Sequence, residues 1–197
     1  MTHQERMLAA ARGEMPDRIP YAPRIDLWYH ANKERGTLPK PYAGASADDI
    51  ARAEGWALHK VVPEFMDYGE DAVIDRLLGV YRMPCQSIHT HLPDDVDREV
   101  KKEGERIHVA YHTPEGSVRG TILYSAEMRR AGVSISWISE HIVKTPEDYG
   151  PVGYIFEHMK VVPAYDAFAE WSAPFGDDTL VSAYALVGGS PMHHILK

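Results

Sequence analysis

Acidic, aromatic and imidazole side chains follow three apolar stretches of the sequence, where they could bind polar groups of a substrate or move protons. They are Asp26, Tyr29 and His30 after stretch 19–25, Glu64 at the end of stretch 60–64, and His193 and His194 after stretch 179–186. Carboxylates and imidazoles are common general acids and bases. We predict that Asp26 and His30 are catalytic and that the other four bind substrate. For each residue taken alone, a structural role is the more common alternative.

The histidine content raises the question of a metal site. The chain has eleven histidines in 197 residues, and the side chains of His89 and His91 would lie on one face of a strand. His108 and His112 could join them from a neighbouring strand. Two ligands do not make a zinc site, however, and alternating polar residues on an outer sheet face explain the pattern more simply. The sequence therefore leaves the metal and its ligands unknown.

Composition and charge narrow the class of protein. The formal net charge of -8 excludes the basic surface that nucleic-acid binding requires. Cys85 is the only cysteine, which suits a reducing cytoplasm, and next to Pro84 it is expected to be a small buried side chain rather than a nucleophile. No apolar run approaches the roughly 18 residues that span a bilayer. We expect a cytoplasmic protein with no nucleic-acid or membrane partner.

Local signals predict several helices. Capping boxes at Thr2 and Ser46 mark two helix starts, and Thr145 followed by a proline marks a third. A helical pattern of apolar residues runs from 72 to 78, and another from about 164 to 173. These segments would position the polar residues that follow or precede them.

The predicted strands are of two kinds. Polar and apolar residues alternate between 86 and 124, which predicts an antiparallel meander with solvated outer faces. Stretch 19–25 is predicted as a short buried strand, and stretch 60–64 as a possible second one. The nearly continuous apolar run 179–186 is typical of a parallel strand covered on both faces.

Three segments together resemble the uroporphyrinogen decarboxylase superfamily over most of the chain. They are ERMLAAARG at 5–13 with DRIP at 17–20, VKTPEDY at 143–149, and GDD at 176–178 leading to SP at 190–191. The decarboxylases of that superfamily carry an Arg-Gln-Ala-Gly-Arg-Tyr-type segment after the first strand, where this chain has RIDLWYH at 24–30. Only Arg24 and Tyr29 match it, as substrate-binding residues, so the cationic cradle for a porphyrinogen is mostly missing.

The resemblance is therefore closer to the corrinoid-dependent methyltransferase branch. It implies transfer of a methyl group from a small methylated or methoxylated substrate to a corrinoid protein, with zinc bound by the second half of the barrel. A decarboxylase of the same superfamily is one alternative. A non-catalytic half-barrel subunit that binds a ligand or a complementary chain is another.

The fold implied is an α/β fold, the N-terminal half of a (β/α)₈ barrel spanning 1–197, with the meander inserted at about 86–124. A complete barrel takes about 250 residues, and the end of the sequence at a new helix start, Ser190, suggests a truncated or split polypeptide. We expect the chain alone to be inactive. An uncovered strand at 180–187 would drive association, so we expect a homo-oligomer or a complex with a complementary half-barrel.

Overall fold

The computed structural model describes residues 1–61, 64, 66–80, 83–183 and 195–196. They form a mixed α/β fold with two antiparallel sheets. The helices are α1 (His3–Ala11), α2 (Asp26–Arg35), α3 (Ala47–Ala53), α4 (Glu70–Asp75), α5 (Ala126–Arg130), α6 (Tyr149–His158) and α7 (Tyr165–Ser172). The strands are β1 (Ile88–His91), β2 (Asp97–Glu103), β3 (Arg106–Thr113), β4 (Gly116–Leu123), β5 (Trp137–Glu140) and β6 (Lys160–Pro163). Short 3-10 turns lie at Lys40–Tyr42, Arg76–Leu78, Pro146–Asp148 and Ala173–Asp178.

The larger sheet confirms the predicted meander and extends it. Strands β2, β3, β4 and β5 pair in sequence order, all antiparallel. Because successive side chains point to opposite faces, one face is apolar and buried while the other carries charged and polar residues. The buried face packs on α4, the turn after it and α6, and its main core residues are Ile74, Leu77, Leu78, Val109, Tyr111, Val118, Ile122, Ile138, Val152 and Ile155.

Close packing at this face explains a glycine in the middle of β4. A Cβ at Gly120 would lie 2.7 Å from the carbonyl oxygen of Glu140 and 2.8 Å from Cδ1 of Leu77. Real Cβ atoms do not approach other atoms so closely, so β4 can contact both β5 and the turn at Arg76–Leu78 only with glycine at this position.

The start of the predicted meander belongs to a different sheet. Strand β1 pairs with β6, an element that the sequence analysis did not predict, and the register joins Ile88 to Pro163 and His91 to Lys160. All four residues of β6 are exposed. This two-stranded sheet therefore adds little to the core.

The helix starts are confirmed. Thr2 and Ser46 form the expected capping boxes at α1 and α3, where each hydroxyl accepts from a backbone N–H and satisfies a donor that the helix leaves free. Thr145 caps the turn that leads into α6. The predicted helix at 164–173 is α7, on which Phe168 and Trp171 are half-buried.

The predicted strand at 19–25 is wrong. This segment is irregular and leads directly into α2, so Asp26, Tyr29 and His30 lie on a helix and not at the end of a strand. Prolines at both ends cannot donate to a ladder, and no strand among the described residues pairs with the segment. The described parts of stretches 60–64 and 179–186 are not strands either, and 184–186 lie outside the described residues.

The half-barrel is not found in the described part of the chain. Every pair of strands there is antiparallel, and the isolated bridge between Val143 and Leu196 is parallel. Backbone hydrogen bonds from Leu58 to Asp178 and from Ser182 to Lys60 also join two segments that run in the same direction, but neither segment is a strand. Without consecutive parallel strands the segments before and after the meander pack as helices and irregular chain. None of the described helices is long and apolar enough to cross a membrane.

An apolar surface remains uncovered beside α2. Met15 is 94% exposed and Ile19 87% exposed, and Tyr21, Leu27 and Trp28 are exposed as well. This exposure supports the expectation of association, which stays a prediction.

Candidate functional site

Two of the predicted residues, Arg24 and Asp26, form a charged pair at the start of α2. Asp26 is the first residue of the helix, where the unsatisfied backbone N–H groups favour a carboxylate. It is only 7% exposed, and the Nε of Arg24 donates to its Oδ1 at 3.0 Å. Arg24 is therefore neutralised by Asp26 and offers little positive charge to a substrate.

Tyr29 has a structural contact inside the protein. Its ring is buried, and its hydroxyl donates to the backbone carbonyl of Ala45 at 3.1 Å. This bond ties α2 to the loop that precedes α3. A substrate-binding role for Tyr29 stays a prediction.

Glu64 lies between two ionisable groups, His30 from a distant part of the sequence and Lys60 four residues earlier. One carboxylate oxygen, Oε2, is 3.7 Å from Nε2 of His30, and the other, Oε1, is 3.3 Å from Nζ of Lys60. The neighbouring His30 imidazole, followed by the Lys60 ammonium, holds the pKa of Glu64 below its ordinary value, against the opposing effect of burial. Glu64 is thus a carboxylate at neutral pH.

Lys60 connects this carboxylate to a second one. Its side chain is 9% exposed, and Nζ lies 2.9 Å from Oδ1 of Asp48 at the start of α3. The ammonium also lies 4.8 Å from the centre of the Phe175 ring. Because its charge is shared by Asp48 and Glu64, Lys60 holds the site together more than it attracts an anion from solvent.

A backbone carbonyl orients the ring of His59. Its Nδ1 lies 3.1 Å from the carbonyl oxygen of Ala22, which can only accept, so Nδ1 donates this hydrogen bond. The other ring nitrogen, Nε2, is buried and has no hydrogen-bond partner among the described residues.

Two cavities meet at His59 and Glu64. The smaller has a volume of about 20 Å³ and is also lined by Asp26 and Asp48, which is room for one water molecule. The larger has about 120 Å³. His59 and Glu64 line both and therefore separate them.

The larger cavity is lined by both polar and apolar residues. Lys60 and Tyr68 line it together with His59 and Glu64, and Pro84, Cys85 and Trp171 complete the lining. Burial raises the pKa of Cys85 to about 11 and also raises the pKa of Tyr68. Both groups are protonated at neutral pH, so Cys85 is not a thiolate nucleophile here, as the sequence predicted.

The histidines of β1 and β3 lie apart from one another in the described part of the chain. His89 and His91 lie on β1, in a different sheet from His108 and His112 on β3. His108 is hydrogen-bonded through Nδ1 to Thr121 on the polar face of the large sheet. In the described part of the chain, no group of three or more His, Cys, Asp or Glu side chains could hold a metal ion.

The structure thus brings together three of the predicted site residues, Asp26, His30 and Glu64, although not by the strand ends that the sequence suggested. His193 and His194 lie outside the described residues. The sequence analysis missed Asp48, His59 and Lys60, all of which line or support the same cavities. The spacing of Lys60 and Glu64 was the one local signal, since the other contacts of His59, Lys60 and Glu64 join residues 12 or more positions apart.

Comparison of the chain with protein-family models, with curated proteins and with solved structures gave no match.

Proposed function

We propose that the cleft around Glu64 is the acid–base site of an enzyme that transfers a methyl group from a small methylated or methoxylated substrate to a corrinoid protein. One observation supports this most: His59 and Glu64 line the same two cavities, and Nε2 of His30 lies 3.7 Å from the Glu64 carboxylate. The choice of reaction depends on the sequence resemblance. The relationship to a barrel is part of the same proposal. It depends on the sequence segments that resemble the superfamily, because the described strands are antiparallel and do not indicate a barrel.

The chemistry requires a proton donor. When a methyl group leaves an oxygen or nitrogen atom, the lone pair left behind must be protonated, and a positioned acid accelerates such steps by about 10²–10⁴-fold. The carboxylate of Glu64 lies 3.7 Å from Nε2 of His30. In this proposal the His30–Glu64 pair supplies the proton, and Glu64 delivers it because Glu64 is the member of the pair that lines the cavities.

The resemblance implies two cofactors, zinc and a corrinoid, and the described residues offer no site for zinc. No group of His, Cys, Asp or Glu among them suits zinc, so no step of the proposal uses that metal. The corrinoid, carried by a separate protein, would supply the cobalt that accepts the methyl group. The residues of this chain would bind the donor, exclude water through the wall of Trp171, and deliver the proton.

The alternative decarboxylase is less consistent with the charges of the site. A porphyrinogen with several carboxylates requires free cationic groups, but Arg24 is paired with Asp26, and Lys60 with Asp48 and Glu64. The positive charges of Arg24 and Lys60 are therefore balanced by carboxylates of the same cleft.

The test is methyl transfer to reduced cobalamin by the full-length natural protein that carries this sequence, with methanol, methylamines and methoxylated aromatics as donors. We expect turnover with at least one donor and a loss of about 100-fold in Glu64→Gln. Glu103→Gln is the matched control, because Glu103 is exposed on the polar face of the large sheet and pairs with Lys101. Absence of transfer with every donor, or equal loss in both variants, would contradict the proposal, and decarboxylation of uroporphyrinogen would favour the alternative.

A further inference from the structure

The polar face of the large sheet carries an open pocket that shares no lining residue with the two cavities around Glu64. Its volume is about 400 Å³, within the range of about 300–1,000 Å³ that is usual for ligand pockets. Ala110 of β3 is part of its lining, and the register places this alanine between Glu99 of β2 and Arg119 of β4. The small side chain of Ala110 therefore leaves room above the sheet between two charged neighbours.

A chain of hydrogen bonds orients His108, which also lines this pocket. The Glu140 carboxylate can only accept, so the Thr121 hydroxyl donates to its Oε2 at 2.8 Å. That hydroxyl has a single proton, so at its other contact it accepts, and Nδ1 of His108, 3.1 Å away, is the donor. In the neutral His108 ring, Nε2 therefore carries the lone pair.

Nε2 is the ring nitrogen of His108 that lies on the open side. Nδ1 is turned to Thr121, which is 4% exposed, whereas the His108 side chain as a whole is 38% exposed. Oε2 of Glu103 lies 3.5 Å from Nε2, but a carboxylate has no proton to donate to a lone pair, and Oε1 of Glu103 already contacts Nζ of Lys101 at 2.5 Å. In the neutral ring, Nε2 is thus an acceptor that another molecule can use.

Arg119 supplies a positive charge to the same pocket. Each carboxylate of the pocket has a basic partner: Glu99 lies 3.7 Å from His112, Glu103 lies 2.5 Å from Lys101, and Glu140 lies 2.8 Å from Lys144. The Lys144 ammonium is the main cause that lowers the pKa of Glu140, and the charge of Arg119 adds to it. Arg119 itself is exposed, and the ion pairs in the described part of the chain do not include it.

The sheet places Arg119 and His108 close enough for one small molecule to contact both. His108 lies opposite Thr121, so Arg119 is its diagonal neighbour on β4. Diagonal neighbours on adjacent strands stand about 7–8 Å apart at their bases, and long side chains cover that distance.

We propose that this pocket binds a small hydroxy acid, which places its carboxylate on Arg119 and donates its hydroxyl proton in a hydrogen bond to Nε2 of His108. Arg119 provides the attraction for the anion. His108, oriented by Glu140 through Thr121, distinguishes a hydroxy acid from the acid that lacks the hydroxyl. The site is separate from the cleft around Glu64 and independent of methyl transfer.

The first test is the protonation pattern of His108 in the full chain. Nitrogen NMR of the histidine rings at alkaline pH, where imidazoles are neutral, reports which nitrogen carries the proton. We expect it on Nδ1, and we expect Thr121→Val, which removes the hydroxyl, to abolish this preference. A proton on Nε2 in the unmodified protein, or an unchanged pattern in Thr121→Val, would overturn the proposal.

The second test compares lactate with propionate, which differ only by one hydroxyl group. We expect NMR titration of the full chain, followed at the amides of β3 and β4, to show lactate binding about fivefold more tightly, because its hydroxyl gains a hydrogen bond. Equal affinities, or no measurable binding of lactate, would contradict the proposal.

The variants separate the two contacts, and each has a matched control on the same face of the sheet. His112 lies on β3 with Nδ1 2.8 Å from the Ser117 hydroxyl, but outside the pocket. The preference for lactate should disappear in His108→Phe and persist in His112→Phe. Arg119→Gln should weaken the binding of both acids about tenfold, whereas Arg106→Gln, also outside the pocket, should not. A preference that survives in His108→Phe, or equal effects of the two arginine variants, would refute the site.

Discussion

Replacement of Lys60 by Met removes the cation that two carboxylates share, so we expect a clear loss of stability. The Lys60 side chain is 9% exposed, and the side chains of Asp48 and Glu64 are 27% and 30% exposed. Breaking a fully buried ion pair costs about 3–5 kcal/mol. Since both carboxylates here keep some access to water, we expect the free energy of unfolding to fall by about 2 kcal/mol, below that range.

The loss should depend on pH in a definite direction. The folded-state pKa of Glu64 lies below its ordinary value because of His30 and Lys60, so this carboxylate stabilises the fold above its unfolded pKa of about 4.3. That contribution is lost as the pH falls through the folded-state pKa. The difference between Lys60→Met and the unmodified protein should therefore be largest at neutral pH and shrink in acid.

Urea unfolding followed by tryptophan fluorescence measures this effect, and Lys102→Met is the matched control. Lys102 pairs with Glu70 at 2.8 Å, but both side chains are 56% exposed. Exposed pairs of this kind contribute about 0–1 kcal/mol. If the two variants lose equal stability, or if Lys60→Met is as stable as the unmodified protein, the contacts of Lys60 do not hold the site together.

Two further predictions concern packing and association. Gly120→Ala should lower the free energy of unfolding by about 1–3 kcal/mol, because its Cβ would overlap Glu140 and Leu77. Gly153→Ala, in α6 with open space around it, should raise the free energy of unfolding by up to about 1 kcal/mol. The reverse order in urea unfolding would refute the packing of β4. Light scattering at low micromolar concentration should give a mass above 22.2 kDa, because the segment 15–28 exposes large apolar side chains. A monomer that binds no hydrophobic dye would refute the association.

The parts of the fold that could be predicted depend on local chemistry. The caps at Thr2 and Ser46 work within one helical turn, and the meander shows a period of two and a tight turn at Gly116. Local chemistry could not show that the predicted strand at 19–25 is wrong, because an apolar stretch does not show whether a partner strand exists. Strand β6 was missed for the opposite reason, since its partner lies about 70 residues earlier in the chain.

The candidate site was predicted only in part for a similar reason. Asp26 and His30 stand close together in the sequence, and residue type alone suggested them. The importance of His59 depends on the Ala22 carbonyl, 37 residues away, and on the burial of one ring nitrogen. Neither can be read from its sequence neighbours.

Glu64, His30 and Lys60 form one site in which the two neighbours stabilise the Glu64 carboxylate. An NMR titration of the Glu64 carboxyl group tests this most directly. In the unmodified protein we expect a pKa below the ordinary glutamate value of 4.5. His30→Gln should raise that pKa, because the neighbouring imidazole is the largest cause of the shift, and His158→Gln should leave it unchanged. A Glu64 pKa at or above the ordinary value, or one that does not respond to His30→Gln, would contradict the account.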